Sequence, residues 1–519
     1  MLISMLHRTV QRHGNQLAMV YGQRRLTYSQ LLQRVMAFKD ALQEHQVGAA
    51  SCVALLLPNC PEFVASFFAV AHLRAIALLL NPSFKATELG HCLADSRPQV
   101  VITDAFHADF CRRVITDLDV PITVMVVSHL ASEQGAPQTS SALAQPLASP
   151  AAPDLVSMPR PDSFAGPVVY QYTSGSTGKP KRLCRTQLNL YHQAHNCMAT
   201  LGITAADRIL GFVPLYHAYG LGECLLAATC SGAALILLEP CVKAGTLVEV
   251  PFVFRRPEVT HLIYQEQVSI LPGVPYLYNV LATTPPDDSI DFSSLRLCIS
   301  AGSVLSQDIF NKFYHRFGIP IRQLYGCTEA GSVSINLSDD AMAIATFASI
   351  GCPMKNVEIT IMGTDDRPMP PGEIGEVAIK SETLAQGYCH GSAAENHTFR
   401  NGYFFTGDLG EKDENGYLYI RGRKQIFIDT GGHKVDPLEI EIVLRQHNKV
   451  KDVVVVGKKQ DHAGEVIKAV VVVKTNCDSA ELIDYCRQQL APFKVPKIIE
   501  FREQIPRSPL GKILRKELV

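Results

Sequence analysis

Apolar residues recur at helical spacing in LTYSQLLQRVMAFKDALQEHQ, at Leu31, Leu32, Val35, Phe38 and Leu42, with Thr27 or Ser29 able to cap the start; the segment is predicted to be a helix. VALLLP then reads as a buried strand, and PEFVASFFAVAHLRAIALLLNP as a buried helix followed by a second strand. This alternation belongs to an α/β fold with parallel sheets. From Ala131 to Gly166 the pattern is lost in favour of Ala, Pro, Ser and Gln, which reads as a surface loop or linker. Alternation resumes with the strand PVVYQYT, which runs straight into a Ser/Thr/Gly loop. Further on, DENGYLYIRGRKQIFI predicts a β-hairpin turning at Asn415-Gly416. The last part of the chain, about 95 residues, reads helix (LEIEIVLRQH), two strands (VKDVVVVGKK and EVIKAVVVVK), helix (SAELIDYCRQQL) and short strand (IIEF), a small α+β domain. The domain boundary is therefore expected near Lys424-Gln425, giving domains 1–423 and 424–519.

At 519 residues the chain exceeds what one hydrophobic core serves, which agrees with two domains. Apolar residues make up 47% and charged residues 19%, close to the globular average, which argues against disorder and against a membrane-resident class. The apolar stretches Phe63 to Leu80 and Cys224 to Leu238 carry His72 and Arg74, or Ser231 and Gly232, and read as buried helix and strand rather than membrane spans. With 48 Lys+Arg against 49 Asp+Glu, no global field favours nucleic acid, so partners must be recognised locally. The start, MLISMLHRTVQRHG, is too briefly apolar for a secretory leader. Fifteen cysteines lie scattered, without a CxxC pair or HExxH, and are expected as reduced thiols of a cytoplasmic protein.

Chemistry first becomes legible at TSGSTGKPK, Thr173 to Lys181, directly after the strand VVYQY. Small residues let backbone N–H groups approach an anion, and Lys179 and Lys181 add positive charge, the combination phosphate oxygens require. The loop is not a Walker A motif, because GSTGK is followed by Pro180, which has no N–H to donate.

The loop resembles the signature of the adenylate-forming superfamily of acyl-CoA synthetases, luciferases and peptide-synthetase adenylation domains. The likeness continues in order through VALLLPNCPEF, PLYHAYGLG, GVPYLY, SAGSVLS, YGCTEAG, SIGCP, PGEIGEV, GYFFTGDLG, GRKQIFIDTGG and SPLGKILRK. The fold it implies is a large N-terminal domain of α/β sub-domains, with parallel-type sheets and a distorted β-barrel, and a small mobile α+β C-terminal domain. The resemblance implies a nucleotide site formed by Thr173, Ser174, Gly175, Ser176, Thr177, Gly178, Lys179 and Lys181, by Gly302 and Ser303, and by Tyr325, Gly326, Cys327 and Thr328. Tyr325 would stack on adenine, Thr328 would bond the α-phosphate, and Glu329 would help hold Mg²⁺. Asp408 would bind the ribose hydroxyls, with Arg423 as a charged donor beside the same nucleotide. Lys512 matches the lysine that bridges the acyl carboxylate and the α-phosphate, and His217 the histidine that orients the carboxylate.

The implied reaction has two halves. MgATP and a carboxylic acid give acyl-AMP and pyrophosphate. The C-terminal domain then turns about a hinge at Lys424 and Gln425, bringing Gly431 and Gly432 against the thiol acceptor. Gln425 stands where relatives carry Asp or Lys, and Asp429 adds a negative charge, so the second half is the looser inference. Tyr216, His217, Tyr219, Gly220, Tyr276, Ala301 and Gly302, with Leu221, would line the acyl pocket. Ala218 stands near where amino-acid-activating members place an Asp, and a buried ammonium without a partner is costly, so an α-amino acid is disfavoured. An aromatic, alicyclic or medium-chain aliphatic acid suits the apolar lining. No carrier domain follows Lys516, so the expected acceptor is free CoA or the phosphopantetheine of a separate acyl carrier protein. The leading reading is transfer to CoA, and a stand-alone enzyme that loads a separate acyl carrier protein or an amine is the alternative. A non-catalytic relative is the third reading, opposed by the joint presence of Thr173, Glu329, Asp408, Arg423 and Lys512.

Overall fold

In the computed structural model the described residues are 1–118, 120–128, 166–173, 181–243, 246–247, 252–283, 291–338, 346–389, 397–423, 428–429, 434–460, 464–490, 494–508 and 513–519. The chain divides into two compact units, Met1–Ile359 with Ile379–Phe404, and Thr360–Ala378 with Phe405–Val519. Most of the expected linker, Ala131 to Gly166, and the expected boundary residues Lys424 and Gln425 lie outside the described residues.

Two large sheets carry most of the described strands of the first unit. The six-stranded one runs Thr123–Val127, Val100–Asp104, Cys52–Leu56, Ile76–Leu79, Pro167–Thr173, Lys181–Thr186, parallel except for its last pair. The nine-stranded one has a parallel centre, Ile321–Cys327, Leu297–Ser300, Ile270–Gly273, Arg208–Leu210, Ala234–Leu237, Leu17–Tyr21, and antiparallel strands at both ends. The sheets are mixed, because hairpins close what crossover helices began.

The elements form where local chemistry favours them. The helix Tyr28–Glu44 opens on a capping box, Thr27 accepting from the Gln30 N–H while the Gln30 side chain accepts from Thr27, and it buries Leu31, Val35, Phe38 and Leu42. Eleven of the twelve residues of the helix Pro61–His72 are buried, so it is apolar all round and lies inside the core. Its one buried acid, Glu62, is met by Arg24 at 3.0 Å and Arg34 at 3.3 Å. The apolar stretch from Cys224 becomes the end of a π-helical turn, Gly220–Leu226, a short helix, Ala227–Ser231, and the buried strand Ala234–Leu237. No helix among the described residues is long and apolar enough to cross a membrane.

In the second unit, Val450–Gln460 and Gly464–Val473 pair antiparallel and Ile498–Phe501 joins parallel. Val453 and Val455 pack under the helices Pro437–Gln446 and Ser479–Gln489, while Val454 and Val456 face a smaller cluster with Ile505 and Leu518. This is the period-two alternation of a strand buried on both faces. His447, Cys477 and Glu481 draw together here, but the Lys449 ammonium sits 2.8 Å from Glu481 and takes the place a cation would need. The predicted hairpin turns at Asp413–Gly416, where Asp413 Oδ1 accepts from the N–H groups of Asn415 and Tyr417.

One expectation is corrected. Thirteen cysteines are free, but Cys184 and Cys389 are bonded to each other across 205 residues of chain. Neither spacing nor motif relates them; the pairing arises because the segment carrying Cys389 lies along the strand Lys181–Thr186.

Candidate active site

The phosphate loop is held at its two ends by a strand pair. Pro167–Thr173 and Lys181–Thr186 run antiparallel with Thr173 opposite Lys181, so the loop between them starts and ends at one place. Its residues Ser174, Gly175, Ser176, Thr177, Gly178 and Lys179 lie outside the described residues.

The YGCTEAG segment forms a second hairpin, with Tyr325 opposite Ser334 and Cys327 opposite Gly331, leaving Thr328, Glu329 and Ala330 at the turn. Glu329 is fixed from both ends: its carbonyl accepts from the Ala385 N–H at 2.8 Å, and its Oε1 accepts from the Tyr388 hydroxyl at 2.7 Å. Tyr388 bridges to Leu183, and the Lys181 ammonium lies 5.2 Å from the centre of its ring. One side chain thus ties the end of the phosphate loop to the carboxylate expected to bind metal. Sequence reasoning missed Tyr388, since no spacing or composition marks it.

Beneath this turn lies a second group that the sequence left unnoticed. Arg185, wholly enclosed, donates to Gln193 Oε1 at 2.8 Å and to the Thr383 carbonyl at 3.0 Å. Glu223, 1% exposed in the π-helical turn, accepts from the Ser332 hydroxyl. Gln193 runs between these groups, and a Cβ at Gly222 or Gly331 would displace its amide; Gly331 also has φ +72°, the left-handed region that favours glycine. Burial pushes the Glu223 carboxyl up to about 8, the nearby Arg185 opposing, and burial brings Arg185 down to about 10. The neutral acid and the charged arginine join the helix expected to line the acyl pocket to the hairpin that carries Glu329.

The expected acyl-pocket residues divide by burial. Tyr219 is buried with its hydroxyl on the Ile299 carbonyl at 3.1 Å, and Leu221 belongs to the main core. His217 is half-buried, its Nδ1 facing the Tyr219 N–H at 3.4 Å. The Tyr216 carbonyl accepts from Gln171 Nε2 at 3.0 Å, which links this segment to the strand before the phosphate loop. Tyr276 is 49% exposed at the start of the helix Pro275–Thr283. Ala301 donates to the Gly273 carbonyl at 3.1 Å, and Gly302 follows with φ +83° and Ser303 exposed.

In the second unit, Arg423 Nε donates to Asp408 Oδ1 at 2.5 Å, across the register that places them opposite one another. Asp408 is 5% exposed and its N–H donates to Thr406 Oγ1 at 3.0 Å, so the carboxylate is oriented by both its strand and its partner. Lys512, Lys424, Gln425, Gly431 and Gly432 lie outside the described residues, as does the Asp429 side chain.

The AMP-binding enzyme family matches residues 6–389, and the AMP-binding enzyme C-terminal domain matches residues 439–512. The FadD13 long-chain-fatty-acid–CoA ligase of Mycobacterium tuberculosis is 32% identical over 496 residues, covering 95% of this chain and 92% of its own. The feruloyl-CoA synthase of an Amycolatopsis species is 30% identical over 514 residues, covering 99% and 95%. Among solved structures, o-succinylbenzoate CoA synthetase from Bacillus subtilis, in complex with its acyl-adenylate, superposes with a TM-score of 0.79 at 26% identity, over 99% of this chain and 97% of that one.

Proposed function

The chain belongs to the AMP-binding enzyme family, and from that premise we propose that it activates a carboxylic acid as its acyl-adenylate and transfers the acyl group to CoA. The observation that carries the reading is the Lys181–Tyr388–Glu329 contact, in which one tyrosine in the first unit meets a lysine at its ring and a carboxylate at its hydroxyl. The relatives named above are acid–CoA ligases, which supports the thioester as product.

Glu329 suits Mg²⁺. One of its oxygens is oriented by Tyr388, and a carboxylate is the hard ligand this cation prefers. When bound, Mg²⁺ would neutralise phosphate charge. The chain's own residues do the rest. Backbone N–H groups of the loop and Lys181 hold the triphosphate, Asp408 and Arg423 hold the ribose end, and Thr328 steadies the α-phosphate. The acid's carboxylate, oriented by His217, attacks the α-phosphorus and pyrophosphate departs opposite. Lys512 stabilises the charge that develops on the phosphorus, an interaction stronger in the transition state than in the ground state. Catalysis is then mostly positioning and charge neutralisation.

For the acid, we favour an aromatic, alicyclic or medium-chain aliphatic compound without an α-ammonium. The first acidic side chain in the pocket segment is Glu223, which is turned to Ser332, buried and neutral, and so offers no counter-charge. Pyrophosphate exchange measured over a panel of carboxylic acids, followed by mass analysis for acyl-CoA, tests both halves. Exchange with no acid sinks the adenylation reading. Exchange without any thioester moves the acceptor to a carrier protein or an amine.

A further inference from the structure

The Cys184–Cys389 pair lies against the site just described, and neither the family match nor the relatives assign it a role. Cys184 stands three residues after Lys181, and Cys389 follows Tyr388 directly. Their Cα atoms are 6.2 Å apart, within the span a cystine bridges, and their sulfurs are bonded. Both residues are half-buried, whereas eight of the thirteen free cysteines are buried. Besides the bond, an antiparallel bridge pairs Leu183 with Tyr388, its hydrogen bond running from the Cys389 N–H to the Arg182 carbonyl at 2.8 Å. Tyr388 is thus held between the cystine and Glu329.

We propose that Cys184 and Cys389 form a reversible oxidation site that controls nucleotide binding. The cystine clamps Tyr388 across Lys181 and Glu329; reduction to two thiols removes the covalent tie between the two segments and leaves that wall to the backbone bridge and to the hydrogen bonds of Tyr388 and Ala385 with Glu329 and of Thr383 with Arg185, so that MgATP binds more weakly. The inference rests on the nucleotide-site reading above. The oxidant is a low-molecular-weight disulfide. One cysteine thiolate attacks it, forming a mixed disulfide and expelling one small thiolate; the second cysteine thiolate attacks the protein-bound sulfur and expels the other. Two protein thiols become one S–S bond, and the oxidant's S–S bond becomes two thiols that receive both electrons and both protons. A small dithiol reverses the exchange. In a reducing compartment, disulfides of this kind act as transient sensors rather than as permanent staples.

The test uses the full chain equilibrated with oxidised or reduced glutathione. Bond formation is read by non-reducing peptide mapping after alkylation, and MgATP affinity by calorimetry, which needs no acid. The expected result is a peptide pair joined through Cys184 and Cys389 in the oxidised protein, and a Kd for MgATP about fivefold weaker after reduction, the scale of a partly loosened charged hydrogen bond. Cys184→Ser and Cys389→Ser should each bind like the reduced protein under both conditions. Absence of the joined peptides in oxidising buffer, an unchanged Kd on reduction, or a redox response that persists in either variant each overturns the proposal. An affinity that follows the bond in a protein that exchanges pyrophosphate with no acid would support the switch and refute the ligase reading.

Discussion

Replacing Glu223 by Gln tests whether the group under the Glu329 turn is held together by a neutral acid. The carboxyl lies 1% exposed, and burial lifts it from an ordinary 4.5 to about 8 against the pull of Arg185. Below about 4.5 folded and unfolded chains both carry the proton, and the full stability is present. As pH rises the unfolded chain ionises first, so stability declines steadily until the folded carboxyl also ionises near 8. The gap between those two values corresponds to about 5 kcal/mol, since each tenfold step in proton affinity is about 1.4 kcal/mol. Glu223→Gln has no proton to lose. The stability of the native protein relative to the variant should therefore fall by several kcal/mol between about pH 5 and about pH 9, measured by urea unfolding of both under matched conditions. The surrounding Cys197, Cys224 and Tyr219 are all pushed upward by burial and stay neutral over that range. A stability difference that is constant with pH refutes the reasoning. A difference that is flat above about pH 5 and in which the native protein loses ground only as pH falls below about 4.5 would mean an ionised Glu223 paired with Arg185.

Tyr388→Phe keeps the ring beside Lys181 but removes the hydroxyl from Glu329; losing a hydrogen bond to a charged group, about 1.5 kcal/mol at the low end, should raise KM for MgATP about tenfold in pyrophosphate exchange. An unchanged KM would remove Tyr388 from the site. Lys512→Ala should lower acid-dependent exchange by about 10²-fold or more while leaving thioester formation from added acyl-adenylate intact; retained exchange would take the lysine out of the first half-reaction. Asp408→Asn leaves Arg423 without its charged acceptor and should weaken MgATP binding about tenfold or more, read by calorimetry, with no effect expected on the choice of acid.

Much of this protein can be read directly from residue order. The helix Tyr28–Glu44 is visible because its apolar period and its Thr27 cap lie within one stretch. The strands Cys52–Leu56 and Ile76–Leu79, the turn at Asp413–Gly416 and the strand–helix order of the last hundred or so residues were legible for the same reason: periodicity and turn chemistry act over a few residues. The expected phosphate loop is likewise marked by residue order alone, since an anion site of this kind needs only small residues and cations close together in sequence.

What sequence by itself determined, then, was the set of elements and the identity of the groups that could handle ATP. Tertiary structure alone decided which of them meet. Tyr388 reaches Glu329 across 59 residues, Ser332 reaches Glu223 across 109, and Cys184 meets Cys389 across 205. None of these pairs follows from local propensity, because each forms only once parallel strands far apart in sequence have been laid side by side and their connecting loops brought to one edge. Burial then completes the chemistry: Glu223 looks like an ordinary acid in the sequence and becomes a neutral one only when its surroundings exclude water.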